Sequence, residues 1–130
     1  MTALIVALAA CSSSGDPRAE FCDRLAELRA FDASTSATEL NNPVAVQADL
    51  EEFARRFEDL EATSPDEIRD QVAIVARFGR NLAEAAVASQ QADSFDRATA
   101  LATASADEPE VAEALDQLRA WETRNCTAAP

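Results

Sequence analysis

Apolar residues recur along this chain at helical spacing, and helix-start signals stand in front of each recurrence. The clearest stripe is Val46, Leu50, Phe53, Phe57 and Leu60, which fall on one face of a helix with 3.6 residues per turn. Asn42-Pro43 opens it, and Asp49, Glu52, Arg55, Arg56 and Asp59 fill the facing side. Glu52 and Arg56 have the spacing of an intrahelical ion pair. An earlier helix starts at Asp16 as N-cap with Pro17 in the first position, and Phe21, Leu25 and Leu28 form its stripe. Two glycines in 130 residues and abundant alanine fit the same reading. The expectation is an all-helical domain.

The remaining elements follow from similar signals. Asp32 to Leu40 is rich in small polar residues and reads as a loop. In Ser64-Pro65-Asp66-Glu67, Ser64 can cap a third helix and Glu67 can complete a capping box. That helix runs through Ile68, Val72, Val75, Leu82 and Ala86. Gly79 lies on its stripe, where it either breaks the helix or lets a neighbouring helix approach closely. Ala92 to Ala106 is rich in Ala, Thr and Ser, with a short helix around Phe95, Ala98 and Leu101. The last helix opens at Asp107-Glu108-Pro109-Glu110, acids that suit the positive end of the macrodipole. Val111, Leu115 and Leu118 make its stripe, with Trp121 beside it.

The N-terminus reads differently. Ala3 to Ala10 is an eight-residue apolar run, too short to span a bilayer, which takes roughly 20 residues. It meets Cys11, then Ser12, Ser13, Ser14 and Gly15. An apolar segment ending in small residues before a polar spacer has the form of an export signal. The junction Leu8-Ala9-Ala10-Cys11 resembles the lipobox of bacterial lipoproteins. That resemblance implies a signal peptide over 1–10, cleavage before Cys11, and a diacylglyceryl group on its sulfur, with 11–16 as a tether and 17–130 as the domain. Two or more acyl chains anchor stably where one does not. A signal peptide opens with positive charge, and Met1-Thr2 has none. The expectation is therefore a start codon placed too late.

With Cys11 assigned to lipid, Cys22 and Cys126 remain, and outside the cytoplasm they most simply pair. In an up-down four-helix bundle the start of the first helix lies beside the end of the fourth. Cys22 and Cys126 occupy those two places. The expected fold is that bundle, with a disulfide joining its first and last helices.

Composition excludes several functions. The net charge of −13 lies wholly beyond residue 10 and repels phosphate, so no nucleic acid partner is expected. Attachment to an anionic membrane must come from the lipid on Cys11. Without His there is no Ser–His or Cys–His nucleophile pair and no imidazole metal site. No glycine-rich phosphate loop occurs. Glu51-Glu52 and Asp66-Glu67 with Asp70 lack the spacing of a calcium loop, and acids at helix starts already have a capping role. No catalytic residue, metal or cofactor is expected. Phe53, Phe57, Val75 and Trp121 would line a ligand pocket if the bundle held one, although such residues on helical stripes are ordinarily core.

The lipobox LAAC, the start EFCDRLAEL and the end AWETRNC together resemble small uncharacterised lipoproteins of actinobacteria. The resemblance implies an envelope protein on the outer face of the cytoplasmic membrane and implies no catalytic residues. The resulting expectation is a non-enzymatic module binding an envelope protein. The alternative is a carrier of a small apolar or lipidic ligand.

Overall fold

The computed structural model describes residues 16–35 and 42–126. The expected signal segment, Cys11 and its spacer to Gly15 lie outside the described residues. Every regular element among those described is helical: α1 (Pro17–Thr35), α2 (Pro43–Thr63), a 3₁₀ turn over Asp66–Ile68, α3 (Arg69–Ala88), α4 (Ser94–Ala106) and α5 (Val111–Asn125).

The first two starts form as their sequences dictate. The Asp16 carboxylate accepts from the Arg18 N–H at 3.0 Å, and its carbonyl accepts from the Glu20 N–H. Asn42 Oδ1 accepts from the Ala45 N–H at 3.1 Å, with Pro43 in the first turn. Each side chain satisfies a donor that has no partner within the helix. At its far end α1 continues to Thr35, four residues into the stretch read as loop. The Arg56 guanidinium over the Phe31 ring, 4.9 Å from its centroid, ties that last turn to α2. A tertiary contact of this kind outweighs weak local propensity.

Ser64 departs from expectation. Its hydroxyl donates back to the Glu61 carbonyl at 2.9 Å, closing α2 rather than opening α3. Glu67 takes a hydrogen bond from the Arg18 guanidinium at 2.6 Å instead of completing a capping box. The 3₁₀ turn intervenes, and α3 begins at Arg69. From there α3 passes unbroken through Gly79, whose bare Cα lets Phe53 and Ala54 of α2 come close.

The stripes converge on one core. Phe21, Leu25 and Leu28 of α1 meet Phe57 and Leu60 of α2, Val72, Val75 and Ala76 of α3, and Ala114, Leu118 and Trp121 of α5, with Ile68 between. Around this core α1 packs on α2, α2 on α3, α3 on α5 and α5 on α1. The Cys22–Cys126 disulfide joins α1 to the end of α5, with Cα atoms 5.4 Å apart. The last helix is thus the fifth, because residues 94–106 form a full helix of their own.

That helix, α4, rests on α3 and on no other described helix. Asp93 caps it, accepting from the Asp96 N–H at 2.8 Å. Its expected apolar face is turned the wrong way: Phe95 is 77% exposed and Ala98 exposed, whereas Arg97 is buried. The Arg97 guanidinium donates to the Ala92 carbonyl at 2.8 Å, so the polar turn before α4 sets the rotation of its first residues.

Candidate functional site

Of the four residues expected around a pocket, Val75, Phe57 and Trp121 are at most 3% exposed, and Phe53 is half-buried. Trp121 packs edge-on against Phe21, with ring centroids 5.3 Å apart, and Phe53 tilts onto Phe57 at 4.7 Å. Phe53 and Phe57 also line an apolar cleft of about 180 Å³ between α1, α2 and α5. Leu25, Leu28, Leu115 and Leu118 complete its walls; Val75 and Trp121 take no part. All four leucines lie on the stripes that the periodicity marks, but spacing alone does not say which stripe residues border a cleft. At its edge Arg29 of α1 pairs with Glu122 of α5, bridging the two helices.

Most of the arginines are paired with carboxylates within the molecule. Between α1 and α2 a furrow of about 400 Å³ holds Glu20, Asp23, Glu27 and Asp59 together with Arg24, Arg55 and Arg56. Arg55 donates to Glu52 and to Asp59, and Arg56 to the same Glu52. The hydrogen bond from Arg55, then that from Arg56, holds the Glu52 carboxyl below its ordinary range. Of the acids weighed as cation ligands, Asp66 pairs with Arg69 at 2.7 Å and Glu67 with Arg18. No group of three or more Cys, Asp or Glu side chains among the described residues is placed to hold a metal ion.

A tight polar cluster surrounds the disulfide. Arg18 donates to Asn125 Oδ1 at 3.0 Å as well as to Glu67, and Asn125 donates to the Trp121 carbonyl at 2.8 Å. Glu67 is held below its ordinary range first by its own backbone N–H, then by the Arg18 charge and the Trp121 indole N–H. That indole N–H is buried without a hydrogen bond of ordinary geometry. The cluster ties α1, the 3₁₀ turn and α5 together.

Elsewhere, Glu51 of α2 and the end of α3 border a shallow, mainly apolar depression of about 350 Å³. Val87 on its wall is half exposed, and Val44 in the first turn of α2 is exposed. Sequence periodicity does not find these residues, because both stand off the core stripes.

The chain matches no protein-family model, no curated protein and no solved structure. No described helix is long and apolar enough to cross a membrane.

Proposed function

We propose that this chain is a lipid-tethered, non-enzymatic helical module of the bacterial envelope that binds a protein partner on the outer face of the cytoplasmic membrane. In this reading residues 1–10 are an export signal, Cys11 bears the lipid, and the stretch to Asp16 gives reach. Helices α1, α2, α3 and α5 form an up-down bundle, with α4 laid against α3. Register supports that topology. Gln71 meets Gln117 while Arg77 meets Glu108, and Cys22 meets Cys126 while Arg29 meets Glu122. The disulfide end then faces the membrane, and the start of α2 and end of α3 point away from it.

The observation that supports the adaptor most is the filled core. Ligand chambers for drug-sized molecules occupy roughly 300–1,000 Å³, and here the stripe aromatics occupy the space that a chamber would need. Val44, Val87 and Phe95 meanwhile remain exposed, as a binding surface requires. The carrier reading keeps one observation in its favour, the cleft bounded by Phe53 and Phe57. At about 180 Å³ it suits a fragment better than a lipid.

Cys11→Ala tests the tether: the variant is expected in the soluble fraction, and continued membrane retention would remove the anchoring claim. Chemical crosslinking in intact envelopes tests the rest. A reproducible protein adduct is expected. Its absence, with a discrete small-molecule mass on the native protein, would replace the adaptor with the carrier.

A further inference from the structure

We propose that the cleft between α1, α2 and α5 binds a small aromatic carboxylate, a single ring with an acid group a short chain away. Such a site goes beyond the adaptor reading and is independent of it.

The floor of the cleft is wholly apolar. Leu25, Leu28, Phe57 and Leu118 lie there, each at most 8% exposed. Phe53 and Leu115, both partly exposed, stand where the walls open toward solvent. A hollow of about 180 Å³ is too small for a lipid and matches one ring. Apolar cavities of about 150 Å³ lined by Leu, Ile and Phe stay dry and take up benzene. The walls favour a ring over an aliphatic chain. Phe53 and Phe57 meet at 46° with centroids 4.7 Å apart, so a third ring can pack offset or edge-on against them.

Charge selects the acid. Two guanidiniums, Arg29 and Arg119, border the cleft with one carboxylate, Glu122. That balance reverses the one in the whole molecule, whose net charge is −13. It also reverses the balance in two other hollows. The α1–α2 furrow has four carboxylates to three arginines, and the depression beside Val87 has two carboxylates and no arginine. Glu122 is 12% exposed and already engaged by one nitrogen of Arg29, which leaves that guanidinium further N–H groups for a second acceptor. Arg119 pairs with Asp116, one turn back on α5, and both are about three-quarters exposed. Solvent screens a pair of that kind. An anion whose ring is seated on the apolar floor is held beside both guanidiniums, where charge-assisted hydrogen bonds are stronger than in open water.

The test uses the full chain with Cys11→Ala and three probes alike in ring and chain length: 3-phenylpropionate, 3-phenylpropanol and 3-phenylpropylamine. In nitrogen-15 NMR titrations the acid is expected to shift amides around Leu28, Phe53, Leu115 and Arg119. It should bind at least about fivefold tighter than the amine, with the alcohol between them. Arg119→Gln should weaken the acid by about threefold and leave the alcohol unchanged, a split that a merely structural role would not give. Arg29→Gln, which also uncovers Glu122, should turn the preference toward the amine. Leu115→Trp should fill the cleft and weaken all three probes. Thermal melting checks that each variant folds, and the two exposed arginine positions decide the matter if Leu115→Trp does not fold.

Absence of shifts with all three probes overturns the site. So do shifts centred on the α1–α2 furrow or on Phe95. Equal affinity for acid and amine, or acid binding that neither arginine variant weakens, overturns the preference for an anion and with it the proposed ligand.

Discussion

A Cβ built on Gly79 would stand 2.8 Å from Phe53 Cδ1, 3.0 Å from Phe53 Cε1 and 3.2 Å from the Ala54 Cα, so the crossing of α2 and α3 depends on the missing side chain. Two effects compete when alanine is placed there. Helix propensity favours it by about 1 kcal/mol. Overpacking opposes it by roughly 1–3 kcal/mol, because the ring can tilt but the Ala54 backbone cannot move without shifting α2. Gly79→Ala is therefore expected to lower stability by about 1 kcal/mol in urea unfolding. A more stable variant would mean that the Phe53 ring yields freely and that the close approach sets no constraint. The sequence posed this as a choice between a break and a contact. Only the partner helix could decide it, because Phe53 lies 26 residues away in the chain.

Between elements, polar pairs do what the stripes leave undone. Glu108, just before α5, accepts from Arg77 Nε at 2.9 Å and from Asn81 at 3.0 Å, binding the α4–α5 connection to α3. Arg77, then Asn81, holds its carboxyl below the ordinary 4.5. A group whose pKa is depressed by folding adds stability above its unfolded value and loses it as pH falls through the folded one. Glu108→Gln should thus melt below the parent at pH 6–7, and the gap should close as pH falls below the ordinary glutamate range. Melting curves of both proteins across pH 3–7 check this, and a gap independent of pH would mean that the ion pair contributes nothing. Local rules located the core faces of α1, α2, α3 and α5, because burial there follows a period the sequence displays. They misjudged elements whose orientation comes from elsewhere. Ser64 can close one helix or open the next with the same hydroxyl, and Arg18, 49 residues from Glu67, takes the carboxylate that a capping box needs. In α4 the periodicity of Phe95, Ala98 and Leu101 is real, yet α4 has a single neighbour among the described helices, and Arg97 ties its first turn to the Ala92 carbonyl.

At the scale of the molecule, one covalent bond does what no surface contact could. The Cys22–Cys126 link closes a sequence separation of 104 residues and sits among Arg18, Glu67, Asn125 and Trp121. The Arg18–Glu67 pair is about half exposed on both sides, and solvent screening leaves such pairs a small share of stability. In the chain-entropy model a loop of this length contributes about 4.7 kcal/mol, against a total of roughly 5–15 kcal/mol for a domain. Cys22→Ser with Cys126→Ser is accordingly expected to lower the melting temperature by roughly 20 °C. Trp121, the single tryptophan, supplies the signal. It is buried edge-on against Phe21, one residue before Cys22, so loosening of α1 from α5 should shift its emission to the red before helical content falls. If the variant melts within a few degrees of the parent, with emission and ellipticity changing together, the core alone holds α1, and the disulfide adds little to the stability of the fold.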